Sequence, residues 1–107
     1  MEINFVKSGL TLSFTDHFTD YGTFMEASRD PIYRIILSAF KELKKKEKVA
    51  INVSAQVDNT EFESELEFTK LNLDILTDVV NPYFEEIEDY EMCAKVMEVI
   101  SELQTPN

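Results

Sequence analysis

A chain of 107 residues with 44% apolar content can bury one core without a metal or a disulfide framework. Its formal charge of −11, from ten Lys and Arg against 21 Asp and Glu, excludes direct binding to nucleic acid or anionic lipid, because phosphate attraction needs cations. One cysteine excludes an internal disulfide. No leader pattern and no apolar run near about 18 residues is present, so the expectation is a single cytoplasmic domain over residues 1–107.

Near the N-terminus, Ile3 and Phe5, then Leu10, Leu12 and Phe14, alternate with polar residues on either side of Ser8-Gly9. A two-residue turn at Ser8-Gly9 would pair Phe5 with Leu12 and Ile3 with Phe14 on one face. Phe18, Tyr21 and Phe24 follow in a segment expected to be irregular, where core closure is the favoured role and partner contact the alternative. Thr23-Phe24-Met25-Glu26 matches a capping box and predicts a short helical turn.

Asp30-Pro31 then reads as an N-cap with proline at the first helical position. Ile32, Ile35, Ile36, Ala39, Phe40 and Leu43 form one apolar stripe behind it. Lys44, Lys45, Lys46 and Lys48 fall in the predicted last turn, where cations complement the helix dipole.

The second hairpin is the clearest feature. Ile51, Val53, Ala55 and Val57 alternate with Asn52, Ser54 and Gln56, and Asp58-Asn59 supplies turn residues tolerant of positive φ. Beyond it, Glu61, Glu63, Glu65 and Glu67 point to one face of a strand, and Phe62, Ser64, Leu66 and Phe68 to the other. The carboxylates are spaced by roughly 6.6 Å. Pairing about the turn sets Ala55 against Phe62, and sets Gln56, Ser54 and Asn52 against Glu61, Glu63 and Glu65. No Lys or Arg stands opposite the row.

Asn72 is a candidate N-cap for a helix carrying Leu73, Leu76, Val79 and Val80, which Asn81-Pro82 breaks or restarts. Cys93, Val96, Met97, Ile100 and Leu103 make a last apolar stripe, and Thr105-Pro106-Asn107 reads as a frayed end. The fold expectation is α+β, in ββα-ββα(α) order: an antiparallel four-stranded sheet from two β-hairpins, with helices packed on one face. Ile35, Ile36, Phe40, Ile51, Val53, Phe62, Leu66 and Phe68 are the expected core.

Little of the sequence points to catalysis. His17 is the only histidine and lacks a placed nucleophile, and Cys93 lies on an apolar stripe where a thiol resists ionisation. Gly9 and Gly22 are the only glycines, so no phosphate-cradling loop exists. One His and one Cys exclude an ordinary zinc site, and Glu85, Glu86, Glu88, Asp89 and Glu91 do not match a calcium loop. No catalytic residue, cofactor or metal is expected.

The charge does point somewhere. Residues 1–48 hold seven acids against eight Lys and Arg, and residues 49–107 hold fourteen against two. Such asymmetry marks an electrostatic interaction surface or a solubilising face. The expected activity is therefore non-enzymatic: Glu61, Glu63, Glu65 and Glu67, with Glu85, Glu86, Glu88, Asp89 and Glu91 as a second patch, bind the basic surface of a nuclease or other nucleic-acid-binding protein. That is the behaviour of a nucleic-acid-mimicking inhibitor of the kind carried by phages and mobile elements. The alternative is a small adaptor, chaperone or immunity-type protein that binds a basic protein without mimicry, and helix stripes leave room for a homodimer.

Overall fold

A computed structural model describes residues 3–104; the tail at 105–107, read above as frayed, lies outside them. The elements run β1 (Phe5–Ser8), β2 (Thr11–Phe18), α1 (Tyr21–Glu42), β3 (Lys48–Val57), β4 (Thr60–Thr69), α2 (Asn81–Glu86) and α3 (Tyr90–Gln104). The fold is α+β, with a four-stranded sheet in the order β1-β2-β3-β4.

The sheet is mixed rather than antiparallel. β1 pairs antiparallel with β2, but β2 pairs parallel with β3, Thr11 opposite Asn52 and Ser13 opposite Ser54. The cause is α1, which returns the chain to the end of the sheet where β2 began, as a helical crossover does. The Asn52 N–H donates to the Leu10 carbonyl at 2.9 Å at one end of this pairing, and the Asp58 N–H to the Phe18 carbonyl at 2.8 Å at the other. Between Leu12↔Val53 and Phe18↔Val57 the register shifts, so β2 bulges there.

The first hairpin also differs from expectation. Phe5 pairs with Phe14 and Ser8 with Thr11, two residues from the predicted register, so Gly9-Leu10 form the turn. Gly9 has φ +59°, a conformation that a β-carbon disfavours, and it takes the first turn position for that reason. A slip of two residues preserves the faces, and Phe5 meets Phe14 in place of Leu12, with ring centroids 5.9 Å apart. At the second hairpin Asp58 and Asn59 take φ +45° and +62°, and the bounds of β3 and β4 are symmetric about them, as the predicted register requires.

The cap of helix α1 lies ten residues before the predicted Asp30 cap. Asp20 is its cap: Oδ1 accepts from the Thr23 N–H at 2.8 Å and Oδ2 from the Thr23 hydroxyl at 3.2 Å. Asp30 instead pairs with Arg34 one turn on, and Pro31 lies inside the helix. Proline there removes the hydrogen bond to the Ala27 carbonyl and costs roughly 3 kcal/mol, so tertiary contact must hold the preceding turns.

The chain divides into two compact units, residues 1–36 with 50–67, and residues 37–49 with 68–107. In the first, Phe24 supplies that contact. Its ring is fully buried and lies 5.5 Å from Phe14, 5.1 Å from Phe18 and 5.4 Å from Phe62, in edge-on and tilted arrangements. Leu12, Ile35, Ile36, Ile51, Val53, Ala55 and Val57 are also buried. Phe62 is only half-buried, and Leu66, expected in the core, is 36% exposed. Both lie on β4, a terminal strand with a neighbour on one side only.

The second unit is mainly helical. Phe40, Leu43, Leu76, Val80, Phe84, Val96, Val99, Ile100 and Leu103 are buried, and Phe40 lies 5.2 Å from Phe68. Asn72 does not cap a helix of its own. Thr69 caps the 3₁₀ turn Lys70–Asn72, and Asn72 completes a reciprocal capping box. Asn81-Pro82 restarts the helix rather than breaking it: α2 begins at Asn81, directly after Leu76–Val80 widens into a π-turn, and the Asn81 N–H reaches the Leu76 carbonyl. The wider turn admits the Pro82 ring without ending the helix. On α3, Met97 is exposed rather than buried, because the inward stripe runs Val96, Val99, Ile100, Leu103.

Truncating Phe24 removes a ring touching three others. Phe24→Ala is expected to destabilise the protein by about 3–5 kcal/mol in urea unfolding, with Phe24→Leu costing clearly less. The helix cap adds a pH dependence. The Thr23 N–H, then its hydroxyl, hold the Asp20 carboxyl below the ordinary carboxylate range. A lowered pKa means stability that is present above the ordinary carboxylate value and lost as pH falls through the lowered one. Asp20→Asn keeps an acceptor but cannot titrate. The melting-temperature advantage of the native chain over Asp20→Asn should therefore hold constant above about pH 5 and shrink as pH falls below about 4.

Candidate functional site: an acidic strand beside an open polar face

In the first unit, each strand of the central parallel pair sends alternate residues away from the core. Leu12, Phe14 and Phe18 are buried, as are Ile51, Val53, Ala55 and Val57, so Thr11, Ser13, Asn52, Ser54 and Gln56 take the opposite face. The Ser54 hydroxyl donates to the Ser13 hydroxyl at 3.1 Å. Thr11, Asn52, Ser54, Glu63 and Glu65 line one groove of about 510 Å³. His17 pairs with Gln56 in register and is exposed.

The four glutamates behave as the alternation predicts in one respect: Glu61, Glu63, Glu65 and Glu67 are all exposed along β4. Glu61, Glu63 and Glu65 have no ion pair or hydrogen bond among the described residues, whereas Glu67 does have an interaction partner. The row is thus three unpaired carboxylates and one engaged one. β4 is also the terminal strand, and charged side chains on a sheet edge discourage a second chain from pairing there. Edge protection and partner binding make use of the same charges.

The second patch, in the other unit, is largely occupied by local duties. Glu85 accepts from the Asn81 amide at 2.8 Å. Asp89 caps α3 by accepting from the Met92 N–H at 3.2 Å. Glu91 stands 3.8 Å from Lys95 one turn on, and Glu86 also has a partner. Glu88 is exposed at φ +59°, where the chain leaves α2. Glu85, Asp89 and Glu91 thus have local partners near the α2–α3 junction, which the sequence did not place because its helix boundaries were loose.

Thr11 and Ser13 are the surface residues that sequence reasoning missed. They join Asn52 and Ser54 only through the parallel pairing. The roughly 30 residues from β2 to β3, filled by a helix, were the available signal for a crossover.

Cys93 lies half-buried on α3 beside a groove lined by Asn81, Glu85, Tyr90 and Met97. Burial, then the nearby Glu85 and Asp89 charges, push its thiol above the ordinary value. Native Cys93 should alkylate with iodoacetamide more slowly at neutral pH than in urea, where both causes vanish; equal rates would show that the fold does not restrain the thiol. Among the described residues, no group of three or more His, Cys, Asp or Glu side chains is placed to hold a metal ion. No helix among them is long and apolar enough to cross a membrane.

Comparison of the chain with protein-family models, with curated proteins and with solved structures finds no match.

Proposed function

We propose that the chain acts by binding rather than catalysis, laying the β4 glutamates on the basic surface of a nucleic-acid-binding protein as an inhibitor or decoy. The observation that supports this most is the set of unpaired carboxylates at Glu61, Glu63 and Glu65. Like charges along a strand repel at about 6.6 Å spacing, so three in succession cost some stability that a cationic partner would recover. Extended backbone holds them on a rigid line, so little side-chain order is lost when cations meet them. The polar groove beside the row offers Thr11, Asn52 and Ser54 as hydrogen-bonding partners for the same incoming side chains.

A second reading has its own support. Between Glu63 and Glu65 on one wall and Thr11 on the other, the groove presents the hydroxyl and amide groups of Thr11, Asn52 and Ser54, of the kind found in wet protein–protein contacts. It fits a small adaptor that holds a basic protein without covering that protein's nucleic-acid site.

One experiment separates the two. The native chain and the fourfold variant Glu61→Gln, Glu63→Gln, Glu65→Gln, Glu67→Gln are used to capture partners from lysate of the source cells, and the retained protein is assayed for nucleic-acid binding. The decoy reading expects retention at low salt, displacement by heparin, loss with the fourfold variant, and a partner unable to bind nucleic acid while occupied. Unchanged capture by the fourfold variant would reduce the row to a solubilising face. A captured partner that still binds nucleic acid would leave the adaptor. Stability of the variant should be equal or higher, since repulsion is removed.

A further inference from the structure

The second unit carries a surface of opposite sign. Helix α1 ends at Glu42, with only Lys41 in its last turn, so Lys44, Lys45, Lys46 and Lys48 lie beyond the helix. The Lys45 and Lys46 N–H groups donate to the Glu42 carbonyl as the chain turns away. The dipole explanation for these lysines therefore weakens, because that effect fades within the last turn. It cannot account at all for Lys70, which comes from a different segment and joins them.

Lys44, Lys45, Lys46, Lys48, Lys70 and Leu71 line one groove of about 560 Å³, with buried Leu43 and the acid Glu47 also on its wall. Lys44 is ion-paired with Glu102, and Lys48 has a partner. Lys45, Lys46 and Lys70 have neither an ion pair nor a side-chain hydrogen bond among the described residues. Leu71 is 92% exposed, the most exposed large apolar side chain described. Three free ammonium groups around an uncovered leucine, in a protein of charge −11, form a local cationic and apolar site.

We propose that this groove binds a short acidic segment of a partner protein, in which carboxylates flank one apolar side chain. The carboxylates meet Lys45, Lys46 and Lys70, and the apolar side chain covers Leu71. The total charge favours this occupant over larger anions. A membrane or a nucleic acid presents negative charge over a wide area and meets the repulsion of the whole protein, whereas an extended segment of five residues spans roughly 17 Å, about two Debye lengths of about 8 Å, and senses mainly the lysines. An inorganic anion would neutralise the ammonium groups and leave the leucine in water. A segment supplies both chemistries.

The test uses a fluorescein-labelled synthetic peptide of sequence Glu-Asp-Leu-Glu-Asp, followed by fluorescence anisotropy with the full chain. The expected result is saturable, salt-sensitive binding. It weakens about tenfold in the triple variant Lys45→Gln, Lys46→Gln, Lys70→Gln, since each exposed pair contributes modestly. It weakens severalfold in Leu71→Ser, and likewise when serine replaces the peptide's leucine. All four side chains are exposed, so thermal unfolding should be unchanged in both variants and reports any folding defect separately. The fourfold glutamine variant of β4 should bind the peptide as well as the native chain, which keeps this site's outcome apart from that of the acidic row. No binding, binding indifferent to the triple variant, or equal binding of leucine and serine peptides would overturn the proposal. So would phosphatidylserine vesicles being bound more tightly than the peptide, or inorganic phosphate displacing it at equal concentration.

Discussion

The ring of Phe24 ties together β2, α1 and β4. It touches Phe14 and Phe18 from one strand and Phe62 from another, and those contacts keep the first turns of α1 helical ahead of Pro31. The same contacts decide which way β4 faces. With Phe62 turned toward Phe24, strand alternation leaves Glu61 and Glu63 no choice but the opposite side. Exposure of the acidic row is therefore a consequence of aromatic packing inside the unit. Charge alone would not orient it, since carboxylates are solvated on any open face.

What could be read from the chain in advance follows from how local the deciding interaction is. The β3–β4 turn was correctly located because Asp58-Asn59 and the alternation on both sides agree over a few residues. The first hairpin was placed two residues off because both registers put Phe5 on the same face. Only the positive φ of Gly9 at the first turn position separates them. The start of α1 was misplaced because Pro31 carries a strong local signal for a helix start, which distant aromatic rings overrode. The parallel β2–β3 pairing could not come from alternation at all, since period-two patterning looks the same for either strand direction.

The candidate surfaces divide along similar lines. The row on β4 was readable as an exposed face, and only Glu67 departs from it by having a partner. Several of the acids at 85–91 also serve local structure in ways that depend on helix ends, as with Asp89 at the start of α3 and Glu91 beside Lys95. Conversely, Lys44, Lys45 and Lys46 lie in the turn beyond α1 and Lys48 opens β3, and Lys70 joins them in one groove through the fold. Like charges gathered by tertiary structure, rather than by adjacent positions, are the kind of feature a sequence cannot display.

The parallel pairing also sets an order of events during folding. Ser13 and Ser54 stand 41 positions apart, while each hairpin closes across two turn residues. Hairpins of this size form in about 1–10 μs, and long-range parallel pairing is slower because chain entropy is lost before contacts reward it. In that interval β3 has no neighbour on its β2 side, and the β3–β4 ribbon has two open edges. Glu61, Glu63 and Glu65 then put repulsion between ribbons from different molecules at the stage when intermolecular strand pairing is most accessible. The glutamate row would safeguard the chain's own maturation before any partner is met.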